Sequence, residues 1–258
     1  MFSGIGLYKL LYDKRIISDL RIKDEDEEKI IFGVKRSKYK IKIPKAVTPE
    51  IAYLAGVIAG DGSFYYSNLK NRVFPGVKIV ITSDSQKYLK LINKIVIHSF
   101  DAGGQIRKEI KKKRCYDLFI NHRVIWLYFR KVLELDKRKL KISKEIANKE
   151  LFRFFLAGFF DTDGYISRDV FGTMIGGKNA LFLNQLVRYS KKFYGLEFSP
   201  VKINTLRVKE KEFKRAYTRL RRKDTEQFIS LVPLINEKYT WACAGSNRGS
   251  SLFSLRTP

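Results

Sequence analysis

Cysteine and histidine are nearly missing from this chain. Its 258 residues hold two of each, Cys115 and Cys243, His98 and His122. They show no CxxC pair and no His/Cys ligand spacing, which excludes a zinc cluster and a disulfide framework and fits a reducing compartment. The same scarcity argues against hydrolytic chemistry built on several histidines. Long apolar runs are missing too: the longest reach about a dozen residues, short of the roughly 20 that a bilayer span needs. The stretch from Met1 to Tyr12 contains Lys9 and no small-residue cleavage site, so no secretory signal is expected. A cytoplasmic or organellar location, without membrane insertion, is the resulting expectation. Acid is scarce as well. Asp and Glu number 26 against 52 Lys and Arg, a formal charge of +26. Such a surplus reads as an electrostatic footprint for a polyanion, nucleic acid before membrane. Hydrophobic residues make up 45% of the chain, enough for a substantial core and too many for global disorder.

What is present is a repeat. Leu54-Ala-Gly-Val-Ile-Ala-Gly-Asp61-Gly62 in the first half is answered by Leu156-Ala-Gly-Phe-Phe-Asp-Thr-Asp163-Gly164 in the second. Each copy is an apolar run dotted with small residues that ends in Asp-Gly. Thr48-Pro49-Glu50 starts the first run as a helix, with Thr as N-cap and Pro at the first helical position. The first unit reads as helix 49–61, strands 63–66 and 77–82, helix 84–99, strands 105–110 and 115–120, and helix 122–134. The second reads as helix 150–162, strands near 164–168 and 171–175, helix 178–194, strands 201–208 and 213–220, and a helix around 224–237. The expected division is a basic N-terminal extension over 1–46, repeat halves over 47–142 and 143–238, and a flexible Gly/Ser-rich tail over 239–258. Within the extension, the acidic run Asp24 to Glu28 interrupts a basic segment, and Tyr39 to Ile43 alternates as a strand does.

On a helix, Ala52, Ala55, Gly56, Ala59 and Gly60 fall on one face, and Ala157, Gly158 and Thr162 form its counterpart. A face of Ala and Gly lets another backbone approach closely, the small-xxx-small logic. The bulky neighbours, Tyr53 and Phe155 among them, are expected to point into their own halves. Packing the two faces together sets Asp61 and Asp163 side by side at helix C-termini, where the dipole disfavours an acid by a few tenths to about 1 kcal/mol. A divalent cation taking carboxylate and last-turn carbonyl oxygens would relieve that repulsion, and hard oxygen donors point to Mg2+, with Mn2+ as a substitute.

The two strings resemble the nine-residue signature of the LAGLIDADG homing endonucleases, in their monomeric two-motif form. The resemblance spans about residues 47 to 238. It implies an α+β fold of two pseudo-symmetric αββαββα halves whose antiparallel sheets form a saddle over DNA. It also implies metal-dependent cleavage of both DNA strands at a long site. The acid before the last Gly of each motif then binds metal, Asp61 and Asp163 here, with carbonyl help from Gly60 and Thr162. The helix interface falls on Ala55, Gly56, Ala59, Gly60, Ala157 and Gly158. Two departures stand out. Ala59 replaces an inner Asp that the second copy keeps as Asp161, a position structural in the family. Many members carry a Lys just after the second strand of a half. Lys178 fits that place in the second half, whereas Asp84 occupies it in the first, with Lys78 and Lys87 nearby.

Both expected sheets are basic and aromatic. The first offers Tyr66, Lys70, Arg72, Lys78, Arg107, Lys111 and Arg114 to DNA, and the second offers Arg168, Lys202, Arg207, Arg215, Arg219 and Arg221. Every second strand residue can face a groove while Ile, Val and Leu pack behind. Gly172 to Asn179 mimics a phosphate loop but has Asn where a hydroxyl is needed, which speaks against nucleotide binding. The leading expectation is a site-specific DNA endonuclease encoded by an intron or mobile element, a monomer acting on double-stranded DNA. An RNA maturase acting on intron RNA and a non-catalytic DNA-binding regulator are the alternatives, and the presence of both terminal acids speaks against the regulator.

Overall fold

Hydrogen-bonding side chains placed just ahead of apolar runs set the helix starts. Thr48 accepts from the Ile51 amide ahead of helix α2 (Pro49–Gly60), and Asn148 accepts from Leu151 ahead of α5 (Lys149–Asp163). Ser85 and Asn179 do the same for α3 (Gln86–Phe100) and α6 (Ala180–Tyr194). Each satisfies an amide that the helix itself leaves unpaired, worth about 1 kcal/mol. The helix α6 stops where Gly195 takes φ +70°, a conformation glycine adopts without strain. The computed structural model describes residues 2–13, 16–17, 20–34, 40–67, 76–108, 115–136, 140–167, 172–177, 179–208 and 211–236.

The fold is α+β, with two four-stranded antiparallel sheets. The first is built from β4 (Gly62–Ser67), β5 (Gly76–Ser83), β6 (Gln105–Lys108) and β7 (Tyr116–Ile120), in the order β4-β5-β7-β6. The second uses β8 (Gly164–Ile166), β9 (Thr173–Gly177), β10 (Lys202–Val208) and β11 (Lys211–Leu220), in the order β10-β11-β9-β8. Both therefore place the strand that follows the motif helix at one edge and pair its hairpin partner with the last strand. The expected halves differ from this mainly at element ends. The helix expected over 122–134 is α-helical only as α4 (Arg123–Leu127) and continues as a π-helical turn, Tyr128–Val132. The last helix, α7 (Arg222–Leu231), is shorter than expected. The expected tail, 239–258, lies outside the described residues.

One face of each sheet packs into a continuous core. Ile79, Ile81, Leu118 and Ile120 turn inward from the first sheet, and Ile166, Ile175, Ala216 and Leu220 from the second. At about 25 cal/mol per Å² of apolar surface, these inward rows supply the main drive for folding. The segment that joins the two halves ahead of α5 contributes as well, since Ile142 and Ile146 are buried.

The N-terminal segment is folded against this core. Helix α1 (Gly4–Leu11) precedes a three-stranded antiparallel sheet of β1 (Leu20–Glu25), β2 (Lys29–Val34) and β3 (Lys40–Pro44). Leu7, Leu11, Leu20, Ile30, Phe32 and Ile43 belong to the same hydrophobic cluster as the two halves. The acidic run makes the β1–β2 turn: Asp26 accepts from the Glu28 and Lys29 amides, and Glu25 bonds Lys45 at 2.8 Å and the Gly4 amide at 3.2 Å.

Helices α2 and α5 cross at the centre with backbone touching backbone. A Cβ added at Gly56 would lie 2.0 Å from the Phe155 carbonyl oxygen, and one at Gly158 would lie 2.1 Å from that of Tyr53. From Ile51 to Ala59 every residue of α2 is buried, as expected of a helix surrounded by core. Gly56→Ala and Gly158→Ala should each destabilise the fold by about 2 kcal/mol or more, because rigid backbone rather than a flexible side chain must move. Urea unfolding measures this, and stability equal to the parent would contradict the contact.

Lys45 and the Gly4 amide hold the Glu25 carboxyl below the usual carboxylate range. A lowered folded value means that this anchor adds stability above the unfolded glutamate value and loses it as pH falls through the lowered one. NMR titration should place the Glu25 midpoint below that of an unstructured glutamate, and Lys45→Ala should raise it.

Candidate active site

The close helix crossing carries both motif acids to one place. Asp61 caps α2 in the αR conformation and is exposed, and Asp163 closes the last turn of α5. A Cβ at Gly60 would meet the Thr162 hydroxyl oxygen at 2.0 Å and Asp163 Oδ2 at 3.4 Å, so the two helix ends abut through glycine. The Thr162 hydroxyl donates to the Phe159 carbonyl at 2.8 Å, which turns it back onto its own helix. Both acids sit at negative helix ends, where their charges are disfavoured.

A cation already lies beside one of them. Arg215 Nη2 is 4.0 Å from Asp163 Oδ1, although the Arg215 side chain is more than half exposed. Its path crosses Gly176, where a Cβ would touch Arg215 Nε at 3.4 Å. The sequence signals Arg215 only as one basic residue among many on a strand. Nothing in the spacing announces its approach to Asp163. Lys178, expected in this role, lies outside the described residues. In the first half Asp84 is exposed just before the Ser85 cap, and Lys78 stands mid-strand with its ammonium 5.2 Å from the Tyr65 ring centre and 4.8 Å from that of Phe119. That spacing suits a cation–π contact.

The inner motif positions are unequal in structure as well as in sequence. Asp161 is 1% exposed, and its Oδ2 accepts from the Tyr53 hydroxyl at 2.7 Å and from the Ile235 and Asn236 amides at 2.9 and 3.3 Å. The Tyr53 hydroxyl also lies 3.0 Å from that of Tyr88. Burial, then the Asp161 charge, pushes the Tyr53 hydroxyl far above the usual tyrosine range. Tyr53 therefore does not stay in its own half, as its bulk suggested; its polar tip crosses the helix pair because a buried carboxylate needs donors. Ala59, the counterpart of Asp161, is a buried methyl. The partners of Asp161 had no sequence signal, since the nearest lies 74 positions away or more.

Strand register assigns the basic residues to faces. In the first sheet, Tyr65 pairs with Lys78, Thr82 with Asp117, Phe119 with Gln105 and Asp117 with Arg107, which puts Tyr65, Lys78, Phe119 and Arg107 on the face away from the core. Tyr66 has the opposite parity: it lines a cleft with Trp126, Arg130 and Lys131 behind the sheet. In the second sheet, Tyr165, Met174, Arg219, Tyr217, Lys202 and Arg215 share the outer face. Arg221 follows the strand and is ion-paired with Glu197, which draws it from that surface. Arg207 lies opposite Glu212 in register. Lys70, Arg72, Lys111, Arg114 and Arg168 lie outside the described residues. The stretch that mimicked a phosphate loop is strand β9, hydrogen-bonded on both sides, followed by the cap of α6.

Every candidate metal donor here is oxygen: the carboxylates of Asp61 and Asp163 and the last-turn carbonyls of Gly60 and Thr162. No cluster of three or more His, Cys, Asp or Glu side chains that could hold a metal occurs among the described residues. A pair of carboxylates suits a hard divalent ion that keeps water or phosphate ligands, and it does not suit zinc.

No family model matches the chain. Over 152 residues it is 28% identical to glutamine–fructose-6-phosphate aminotransferase [isomerizing] of Methanocaldococcus jannaschii; the match spans 57% of this chain and 13% of that protein. The chain thus corresponds to a small part of that relative. Mesophilic variants of the homing endonuclease I-DmoI are similar in structure, with a TM-score of 0.56 and 20% identity over 72% of this chain and 89% of theirs. The homing endonuclease I-WcaI, solved bound to its DNA recognition sequence, has a TM-score of 0.53 at 17% identity, covering 76% of this chain and 86% of its own. The fold is that of the LAGLIDADG homing endonucleases.

The Asp161 network sets a test of its own. Tyr53→Phe removes a donor from a buried carboxylate and should cost about 1.5–3 kcal/mol of stability. In Asp161→Asn the same substitution should cost much less. Calorimetry on the two singles and the double would show this coupling, and additive losses would refute it.

Proposed function

We propose that this protein is a site-specific endonuclease that uses a divalent metal ion to break both strands of DNA. The observation that carries the reading is the meeting of two helix ends, each carrying an Asp, at a glycine contact, flanked by two sheets with basic, aromatic outer faces. Asp61 and Asp163 would hold the metal, together with the Gly60 and Thr162 carbonyls. A divalent ion bound there supplies a polarised water and charge neutralisation at a phosphate. Mg2+ is the proposed ion, with Mn2+ able to replace it.

The chain's own groups bind and orient. Lys202, Arg219 and Arg215 on one sheet, and Lys78 and Arg107 on the other, would neutralise phosphates and fix the duplex across the saddle. Tyr65 and Tyr165 offer exposed rings on the same faces. Arg215 would stand beside Asp163 and face the cleaved strand, with Lys178 as a further candidate. Each half brings one acid, so one chain would serve both strands as a monomer. The unequal surroundings, Arg215 at Asp163 and Asp84 in the first half, predict unequal rates at the two strands.

The DNA that flanks the coding element, joined with the element removed, is the natural test substrate. With Mg2+ it should be cut in both strands. Asp61→Asn and Asp163→Asn should each lower the rate about 100-fold or more, a loss of several kcal/mol at the transition state. Parental cleavage by either variant, or cleavage without divalent metal, would refute the reading. Binding of the intron RNA with no DNA cleavage would replace it with the maturase.

A further inference from the structure

One acid stands on a surface of cations. Register arranges the outer face of the first sheet in rows across its strands. The row that holds Phe119 and Gln105 is followed by one made of Thr82, Asp117 and Arg107. Among the described residues, Asp117 is the one carboxylate that register puts on the outer face of either four-stranded sheet. Its row is also the one at the helix-crossing end. Gly62 pairs with Ile81, so the next step along the two strands brings Asp61 level with Thr82.

Local contacts leave this carboxylate half used. The Thr82 hydroxyl donates to Asp117 Oδ1 at 2.6 Å and fixes the plane of the group. Arg107 lies directly opposite on β6, where opposite charges ordinarily pair. It makes no ion pair with Asp117, and no other described cation does. The Arg107 guanidinium instead donates to Gln105 Oε1 at 2.8 Å and lies 5.6 Å from the centre of the Phe119 ring. That bond takes one of the five N–H donors of an arginine. Asp117 is half-buried and Arg107 is exposed. An oriented acceptor and an oriented donor fork thus stand side by side, each with hydrogen-bonding capacity left over.

The chemistry of that row selects its partner. A carboxylate repels phosphate, so Asp117 is misplaced for a backbone contact. It needs a donor, and the Arg107 fork beside it needs two adjacent acceptors. In the major groove a C·G base pair offers that set, with the cytosine N4 amine next to guanine O6 and N7. An A·T pair does not, because the adenine N6 amine separates its two acceptors.

We infer that Asp117 and Arg107 select a C·G base pair in the target, Asp117 accepting from cytosine N4 and Arg107 donating to guanine O6 and N7. This rests on the DNA reading above and gives one position of that surface a base preference. Thr82 is a positioning residue, since its hydroxyl occupies Oδ1 and leaves Oδ2 for the base.

The test uses the duplex that joins the DNA flanking the coding element, with each base pair replaced in turn by the other three. Binding by the whole protein is measured in metal-free buffer. The parent should prefer C·G at one position on the first-half side by about 5- to 100-fold. Asp117→Ala should level the four base pairs there and keep the parental preference elsewhere, and Arg107→Ala should weaken the preference at the same position. Lowered stability with every preference kept would make Asp117 a strand-pairing residue. Uniformly tighter binding with every preference kept would make it a moderator of surface charge. Either result overturns this inference and leaves the nuclease reading standing, as does a change confined to a position that is not C·G. Should Asp117→Ala melt below the parent, Asp117→Asn keeps an oxygen for Thr82 and turns its amide nitrogen to the cytosine amine. That variant must still lose the preference for C·G, and retention overturns the inference. A parent that neither binds the junction nor cuts it with Mg2+ overturns both readings.

Discussion

Everything that could be chemical in this molecule depends on two helices touching through glycine. Where Gly56 meets the Phe155 carbonyl and Gly158 meets that of Tyr53, no side chain separates the backbones. That distance brings the C-terminal turns together and sets Asp61 and Asp163 at one spot. A wider crossing, with ordinary side chains between, would move the acids apart by roughly the width of a residue. The small-residue face thus acts as a spacer of zero thickness. The two sheets spread outward from it, each beginning at the residue after its acid.

Charge in this chain is sorted by surface. Cations line the outer faces of the two four-stranded sheets. Most of the acids described sit at turns, under lysines, or inside the protein with donors gathered around them; Asp117, on the outer face of the first sheet opposite Arg107, accepts from the Thr82 hydroxyl. Glu25 and Asp26 are taken up by Lys45 and Lys29, Glu197 by Arg221, and Asp161 by Tyr53 and two backbone amides. Asp61 and Asp163 differ in that they stand at the meeting point of the positive faces. A formal charge of +26 is then less a general property than the result of leaving several surfaces unbalanced.

The sequence disclosed what depends on local pattern. Small residues at helical spacing, the Thr48 and Asn148 caps, and period-two alternation were enough to draw both halves, because each is set by neighbours a few positions away. Three things were out of reach. Tyr66 looked like a surface aromatic beside Tyr65, and only the pairing with Val77 shows that it faces the other way. Arg215 is one cation among several until β11 and β9 pair and Gly176 opens its path. The first 46 residues gave one strand by alternation, while the sheet needs the acidic run as its turn, and that run read as an interruption. In each case the missing information is long-range register, which no short window contains.

The buried Asp161 carboxylate also bears on how the chain is made. Its donors come from position 53 at one extreme and from 235 and 236 at the other, so its charge is compensated only when nearly the whole described chain is present. A ribosome delivers α5 well before it delivers Asn236, so the two backbone amides are the last of these donors to arrive. The segment that follows α7 thus completes the centre of the molecule from the far end of the second half.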